Sequence, residues 1–172
     1  RTLTSVAQRL SEALAAAGAI RCSVLDPGSV NLGASGADGQ PQPMGFVYVN
    51  SPNDVRYMTE LCREHGLGPS IAIFEPGWLR VILAMHRAGT LPAGALVKLY
   101  FAAGGYLPQA PRSGERSEAQ PSEANGVAEP GFSAPPIPEA FEMYMAMLRG
   151  TNLSWAVAVL GGAIFDTPIA EL

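Results

Sequence analysis

Two predicted strands of this 172-residue chain are followed by polar or acidic side chains that could do chemistry. Asp26, Ser29 and Asn31 follow an apolar run in the motif DPGSVNLG, and Glu75 ends another in the motif IFEPG. A hydroxyl and an amide on such a loop can hold a carboxylate or carbonyl oxygen. A carboxylate at a strand end can act as a general base. We therefore predict that Ser29 and Asn31 bind a substrate and that Glu75 is catalytic.

Each of these residues also has a purely structural interpretation. The sequence Asp-Pro-Gly-Ser is typical of a turn, so Ser29 could serve only to build it. Glu75 precedes Pro76, and a negative charge there is favourable at the positive end of a helix. No GxSxG elbow surrounds Ser29, so we do not assign it as a nucleophile. At the level of the residues alone, both interpretations stay open.

Two pairs of adjacent glycines follow later predicted strands, Gly104-Gly105 in YFAAGG and Gly161-Gly162 in VLGG. Glycine turns let backbone N–H groups approach an anionic group, with positive potential added by a following helix. We include Gly104 and Gly105 among the predicted substrate-binding residues. The alternative is a tight turn without a ligand, because glycine often punctuates the connections between strands and helices.

Lys98, the only lysine of the chain, lies in the middle of a predicted strand. A desolvated lysine inside a barrel is how Schiff-base aldolases work, which makes that enzyme class an alternative. The other interpretations are an interior lysine paired with a carboxylate such as Glu75, or a lysine that snorkels at the sheet edge. The two histidines, His65 and His86, lie in or at the ends of predicted helices, so we predict no metal site built from the chain's own histidines.

The elements that position these residues alternate between strand and helix. Strands are predicted at residues 22–26, 46–49, 70–75, 95–101 and 154–160, and helices at residues 4–17, 52–65, 76–89 and 138–149. Such alternation implies βαβ units around a parallel sheet, either open and doubly wound or part of a barrel. A whole (β/α)₈ TIM barrel needs roughly 200 to 250 residues. We predict an α/β fold, a partial TIM barrel of about four to five βα units.

The composition limits the class of protein. The chain is 48% hydrophobic and 15% charged with a net charge of −4, which argues against a nucleic-acid partner. No apolar run reaches the roughly 18 residues of a membrane span. Two cysteines without CxxC spacing indicate a reduced, cytoplasmic protein. We treat residues 1–172 as one domain, with a polar loop or insertion rich in Pro, Ser and Glu at residues 107–137.

The run from Val47 to Gly105, with DPGSVNLG before it and WAVAVLGG after it, resembles the β-keto acid cleavage enzymes, of the 3-keto-5-aminohexanoate cleavage enzyme type. The resemblance covers the chain except for the polar insertion. It implies the central portion of a zinc-dependent (β/α)₈ barrel. It also implies an acyltransferase that condenses a β-keto acid with acetyl-CoA, giving acetoacetate and a new CoA thioester.

The resemblance also has consequences for the site residues. Ser29 falls on the family's small hydroxyl residue that contacts the substrate, and Glu75 falls at a strand end where an acidic residue lies near the active site. Lys98 becomes part of the barrel interior. The family's zinc ligands, a His-x-His pair and a Glu in a GLED-like motif, do not occur in this sequence.

Two expectations follow from the missing zinc ligands and from the partial barrel. We expect this chain to be inactive alone, with the zinc ligands lying outside it. We also expect a homo-oligomer, because an incomplete barrel exposes apolar strand edges. The alternative from another class of function is a non-catalytic βα domain that binds a ligand without chemistry.

Overall fold

A computed structural model describes residue 13 and residues 17–35, 40–103 and 131–172. Along the chain the elements are β1 (Cys22–Leu25), β2 (Val30–Ser35), β3 (Pro41–Tyr48), α1 (Pro52–Glu64), β4 (Gly68–Ile73), α2 (Pro76–Arg87), β5 (Leu96–Ala102), α3 (Pro138–Leu148) and β6 (Ser154–Leu160). Two 3₁₀ turns follow, Ile164–Asp166 and Pro168–Glu171. The predicted helix at residues 4–17 lies largely outside the described residues, as does most of the polar stretch at 107–137.

Four parallel strands form one sheet in the order β1-β4-β5-β6. In its register Val24 lies opposite Ser70, Ala72 opposite Lys98, and Lys98 opposite Ala156. The predicted α/β class with a parallel sheet is therefore confirmed, and the arrangement is compatible with part of a TIM-like fold. Within the described residues β1 and β6 form the two edges of this sheet.

A separate two-stranded antiparallel sheet joins β2 to β3. The predicted strand at residues 46–49 is real, but its assignment to a parallel βα unit is wrong. Parallel neighbours need a crossover of a dozen or more residues, usually a helix, whereas antiparallel strands need only a short connection. No helical pattern precedes this strand after β1, so it pairs with β2 in a hairpin instead.

The hydrophobic core lies between the parallel sheet and the helices. The side chains of Ile71, Ile73, Val97, Leu99 and Phe101 are fully buried and pack with residues of α2 and α3 such as Leu79, Ile82 and Tyr144. Because side chains alternate along a strand, Ala72, Lys98 and Tyr100 lie on the opposite side. We call this side, which also carries Val24, the inner face of the sheet.

A capping box starts α1. The Ser51 hydroxyl accepts a hydrogen bond from the Asp54 amide at 3.3 Å, and the Ser51 amide donates to the Asp54 carboxylate at 2.7 Å. The side-chain and backbone hydrogen bonds from Ser51 lower the pKa of Asp54. The predicted start of this helix at Ser51-Pro52 is confirmed, and the cap fixes the position of Asn50 just before it.

The three helices contain 13, 12 and 11 residues. In the part of the chain that the structure describes, none combines the length and apolar character that a membrane crossing requires. His65 forms the C-cap of α1, and His86 lies in the last turn of α2. Both histidines therefore belong to helices, as predicted.

Candidate functional site

The carboxyl ends of β1, β4 and β5 bring three separate chain segments together. Asp26 directly follows β1, and Glu75 lies between β4 and α2 as the N-cap of α2. Ala134 forms a bridge with Phe101 near the end of β5, with the Ala102 amide donating to the Ala134 carbonyl at 2.9 Å. In parallel α/β proteins this edge of the sheet is where ligand sites form.

Asn50 holds the turn between β1 and β2. Its backbone amide donates to the Ser29 hydroxyl at 3.0 Å, and that hydroxyl donates to the Asn50 carbonyl at 3.2 Å. The Asn50 side-chain amide donates to the Gly28 carbonyl at 3.1 Å. These bonds use one donor and one acceptor position of the exposed Ser29 hydroxyl, so one acceptor lone pair remains for another group.

The indole of Trp78 lies directly against the same turn. A Cβ atom at Gly28 would lie 2.3 Å from Trp78 Nε1, far inside van der Waals contact. Trp78 belongs to α2 and is 5% exposed. Glycine is therefore required at position 28, and the turn is fixed to the start of the helix that Glu75 caps.

Tyr48 orients the carboxylate of Asp26. The Tyr48 hydroxyl donates a short hydrogen bond to Asp26 Oδ2. Burial raises the pKa of Tyr48, and the hydrogen bond to Asp26 raises it further, against an opposing hydrogen bond from the Asn50 side chain. Tyr48 therefore keeps its proton at neutral pH and acts as a donor. The other oxygen, Asp26 Oδ1, is buried and has no hydrogen-bond partner among the described residues.

Glu75 anchors the segment that precedes α3. Its Oε1 atom accepts a hydrogen bond from the Ser133 amide at 3.1 Å, and Ser133 has a φ of 73°, in the left-handed region. The Ser133 hydroxyl and the Tyr144 hydroxyl are both buried without a hydrogen-bond partner in the part of the chain that the structure describes. Burial first, and then the charge of Glu75, raise the pKa of Tyr144 to about 12.

An aromatic cluster centred on Phe74 lies at this edge of the sheet. The ring centroid of Phe74 lies 5.0 Å from Tyr100, 5.2 Å from Trp78 and 5.3 Å from Phe132, in tilted or edge-on geometry. Phe132 comes from the segment that Glu75 anchors. Tilted and edge-on pairs of this kind are favourable arrangements of aromatic rings.

Lys98 lies on the inner face beside this aromatic cluster. Its Nζ atom donates to the Tyr100 hydroxyl at 3.4 Å and lies 5.5 Å from the centre of the same ring. The Lys98 ammonium group donates to Tyr100 and Glu75 accepts from Ser133, so neither of these hydrogen bonds is the predicted pair of Lys98 with Glu75.

The structure brings some of the predicted site residues together and separates others. Ser29 and Glu75 both lie near the carboxyl edge of the sheet, and Trp78 of α2, the helix with Glu75 at its N-cap, packs against the Ser29 turn. Asn31 is an exposed residue of β2, opposite Val47. Gly104 and Gly105 lie outside the described residues.

Sequence reasoning did not identify Tyr48, Asn50 or Ser133 as parts of the site. Tyr48 and Asn50 bond to residues 21 or 22 positions earlier, and Ser133 bonds to one 58 positions earlier. The Asn50-Ser51-Pro52 sequence signals a helix start, but nothing local to it signals a bond to Ser29.

The described residues do not form a metal site. Among them, no group of three or more His, Cys, Asp or Glu side chains lies close enough to hold a metal ion. The two histidines are on helices, away from Asp26 and Glu75 in sequence and element. The zinc that the resemblance implies therefore does not fit this donor set.

A groove of about 760 Å³ lies on the helical side of the molecule. Its lining includes Arg80 and Val81 of α2 and Met147 of α3. Asp26 and Lys98, by contrast, belong to the inner face or its edge. The groove contains none of the predicted site residues, so the candidate site is the carboxyl edge of the sheet.

Comparison with known proteins gives one family. A family model described as beta-keto acid cleavage enzyme matches residues 1–168 of the chain. A search of curated proteins found no significant match. The matched range includes the Asp26–Ser29 turn, Glu75, Lys98 and the helices that pack behind them.

Proposed function

The chain belongs to the beta-keto acid cleavage enzyme family, and we propose from this premise that it supplies the substrate-holding part of a site for retro-Claisen chemistry. The reaction joins a β-keto acid with acetyl-CoA and gives acetoacetate and a new CoA thioester, which makes the enzyme an acyltransferase. We propose zinc as its cofactor. Because neither the sequence nor the described donor set supplies the zinc ligands, we propose that this chain is inactive alone.

The observation that carries the proposal is the fixed turn at the end of β1. Asn50 and Trp78 contact this turn, so the Ser29 hydroxyl has a defined position three residues after Asp26, whose Oδ1 atom is buried. A β-keto acid has a carboxylate and a ketone close together, and the oxygens of both groups are acceptors. The Ser29 hydroxyl binds either group by turning its proton from the Asn50 carbonyl to the substrate. Ser29 therefore binds and orients the substrate.

Glu75 is the proposed general base. One of its carboxylate oxygens is bound by the Ser133 amide, which fixes the side chain and leaves the other oxygen to accept a proton. Phe74, which precedes Glu75, packs edge-on against Phe132, which precedes Ser133, so the two rings join the same two chain segments as the Glu75–Ser133 hydrogen bond.

Two further parts of the proposal concern the localisation and the oligomeric state of the protein. We place it in the cytoplasm, supported by Cys22 and Cys62, which are both free thiols although Cys22 is exposed. We also propose a homo-oligomer, supported by the two edges, β1 and β6, of the four-stranded sheet in the described part of the chain.

A titration with acetoacetate, itself a short β-keto acid, tests the proposed function. Backbone amide signals of the purified chain should shift at Gly28, Ser29 and Asn50 in a two-dimensional NMR experiment. Ser29→Ala should weaken binding by about two- to tenfold, the usual range for one hydrogen bond. Ser154→Ala is the matched control, because Ser154 is the first residue of β6 and lies at the amino end of the strand, away from the candidate site.

Two results would contradict the proposal. One is a set of shifts confined to the groove between α2 and α3, which would place the ligand on the helical side. The other is equal affinity of the wild-type chain and Ser29→Ala. In either case Ser29 would only build the turn.

A further inference from the structure

Asp26 and Lys98 lie in one row across the inner face of the sheet. Ala72 is opposite Lys98, and the pairing of Val24 with Ser70 puts Asp26, one residue past the end of β1, in line with Ala72. Neighbouring strands are about 4.8 Å apart, so the Cα atoms of Asp26 and Lys98 are separated by ~10 Å. A carboxylate and an ammonium group thus flank one alanine.

The two charged groups are held by different tyrosines and do not pair with each other. Tyr48 binds Asp26 through Oδ2, and Tyr100 binds the Lys98 ammonium group. Ala72, at 5% exposure, forms an apolar floor between them, and Ala156 continues the row beyond Lys98. Small side chains at both positions leave the long side chain of Lys98 room to reach a bound group.

Asp26 Oδ1 is the hydrogen-bond acceptor in this row that is available to a ligand. It is buried and receives no hydrogen bond from any described residue, while the other oxygen of the carboxylate is bound by Tyr48. Buried polar atoms without a partner are uncommon in native structures, and they occur at functional sites. A donor brought by a ligand would satisfy this oxygen, and the ammonium group of Lys98 would bind a carboxylate on the same ligand.

We propose that Asp26 and Lys98 form a two-point binding site that determines substrate specificity. Lys98 binds the carboxylate of a short acid, and Asp26 Oδ1 accepts a hydrogen bond from a hydroxyl or ammonium group of that acid. Tyr48 is a positioning residue, since it acts only by fixing the Asp26 carboxylate. The inference rests on the proposed function for the class of acid, and it narrows that class to β-keto acids that carry a hydrogen-bond donor.

Two acids that differ only by a hydroxyl group test this site in the full chain. The affinities of 3-hydroxybutyrate and butyrate are measured by NMR titration. The wild-type chain should bind 3-hydroxybutyrate about tenfold more tightly, as expected for a hydrogen bond to a charged acceptor. Asp26→Ala should remove this preference. Lys98→Met should weaken both acids about equally and keep the preference.

Two control variants show whether the loss of a charge elsewhere on the surface changes binding. Asp166→Ala and Arg56→Met remove the same charges at exposed positions, in a 3₁₀ turn and on α1, and should leave both affinities unchanged. If Asp26→Ala does not fold, as judged by circular dichroism, Asp26→Asn takes its place. It keeps the size of the side chain and removes its charge, so it should reduce the preference for 3-hydroxybutyrate, and an unchanged preference would reject the role of Asp26.

Three outcomes would overturn the proposal: equal binding of the two acids to the wild-type chain, binding of neither, or unchanged affinities in Lys98→Met. These outcomes are independent of the acetoacetate titration. Selective binding of 3-hydroxybutyrate without an effect of Ser29→Ala on acetoacetate would keep this site and reject the proposed function. The reverse pattern would keep the function and reject this site.

Discussion

The Tyr48 hydroxyl, at the end of β3, donates a hydrogen bond to the Asp26 carboxylate, directly after β1. This bond joins the antiparallel hairpin to the edge of the parallel sheet. Asn50, two residues after Tyr48, holds Ser29 and Gly28 through three further hydrogen bonds. The hairpin and the residue that follows it therefore position the turn that carries the candidate substrate-binding residue Ser29.

Tyr48→Phe tests this connection. The substitution keeps the ring but leaves Asp26 without its donor, so the free energy of unfolding should fall by about 1–3 kcal/mol. Urea denaturation at neutral pH measures the change. In a double-mutant cycle with Asp26→Ala, the two losses should be less than additive, because each variant removes the same bond. A Tyr48→Phe chain as stable as wild type would show that the bond does not hold the hairpin.

Tyr144 should make the protein sensitive to alkali. An unfolded tyrosine ionises near pH 10, whereas folding raises the pKa of Tyr144 to about 12. The folded state thus retains the proton longer than the unfolded state. This contribution to stability is complete below about pH 10 and is lost as the pH rises toward about 12. Urea midpoints measured across this range should fall with pH.

Tyr144→Phe provides the control for that pH dependence. It removes the ionising group and also a buried hydroxyl without a partner, while the edge-on contact with Phe101 at 5.6 Å is kept. The variant should be at least as stable as wild type at neutral pH and should lose stability less steeply in alkali. A smaller decline in stability with rising pH should persist in this variant, because the pKa of Tyr48 is also raised. An unchanged alkaline slope would mean that Tyr144 is not the group responsible.

Gly28→Ala and Gly77→Ala form a matched pair for the turn. A Cβ atom at Gly28 would overlap the Trp78 ring, so Gly28→Ala should lower the free energy of unfolding by about 1–3 kcal/mol. A Cβ atom at Gly77, in the first turn of α2, would meet no atom within 4 Å. Gly77→Ala should stabilise the helix by about 0.5–1 kcal/mol. Equal effects of the two substitutions in thermal unfolding would refute the contact between Trp78 and the turn.

Borohydride treatment separates the proposed binding role of Lys98 from that of an aldolase nucleophile. In the structure Lys98 donates to Tyr100, which suits an ammonium group. Incubation with acetoacetate and borohydride should therefore leave the mass of the chain unchanged. A mass increase matching a reduced imine, absent from Lys98→Met, would instead establish Schiff-base chemistry at this lysine.

Helical periodicity and apolar runs predicted much of the fold. Helices α1 to α3 and strands β4 to β6 lie within a few residues of their predicted positions, because each is bounded by local signals such as Ser51-Pro52. The pairing of β2 with β3 was missed, since the sequence shows a strand but not its partner. The parallel sheet was predictable from the alternation of elements, and the hairpin was not.

The candidate site shows the same division between local and distant signals. The turn around Ser29 and the acidic position of Glu75 could be predicted from short motifs. The partners of these residues could not, because Tyr48, Asn50 and Ser133 reach them across 21 to 58 residues of sequence. The role of Glu75 as an anchor for Ser133 depends on how the chain returns to the sheet at Ala134.

The central claim is that this chain holds the substrate of a β-keto acid cleavage enzyme but not its zinc. Metal analysis of the purified chain, after incubation with zinc and exhaustive dialysis, tests that claim most directly. With two histidines on separate helices and no described cluster of ligands, the chain should retain far less than one zinc ion per molecule. Retention of one zinc ion per chain would show that the ligands lie within this sequence and would contradict the claim.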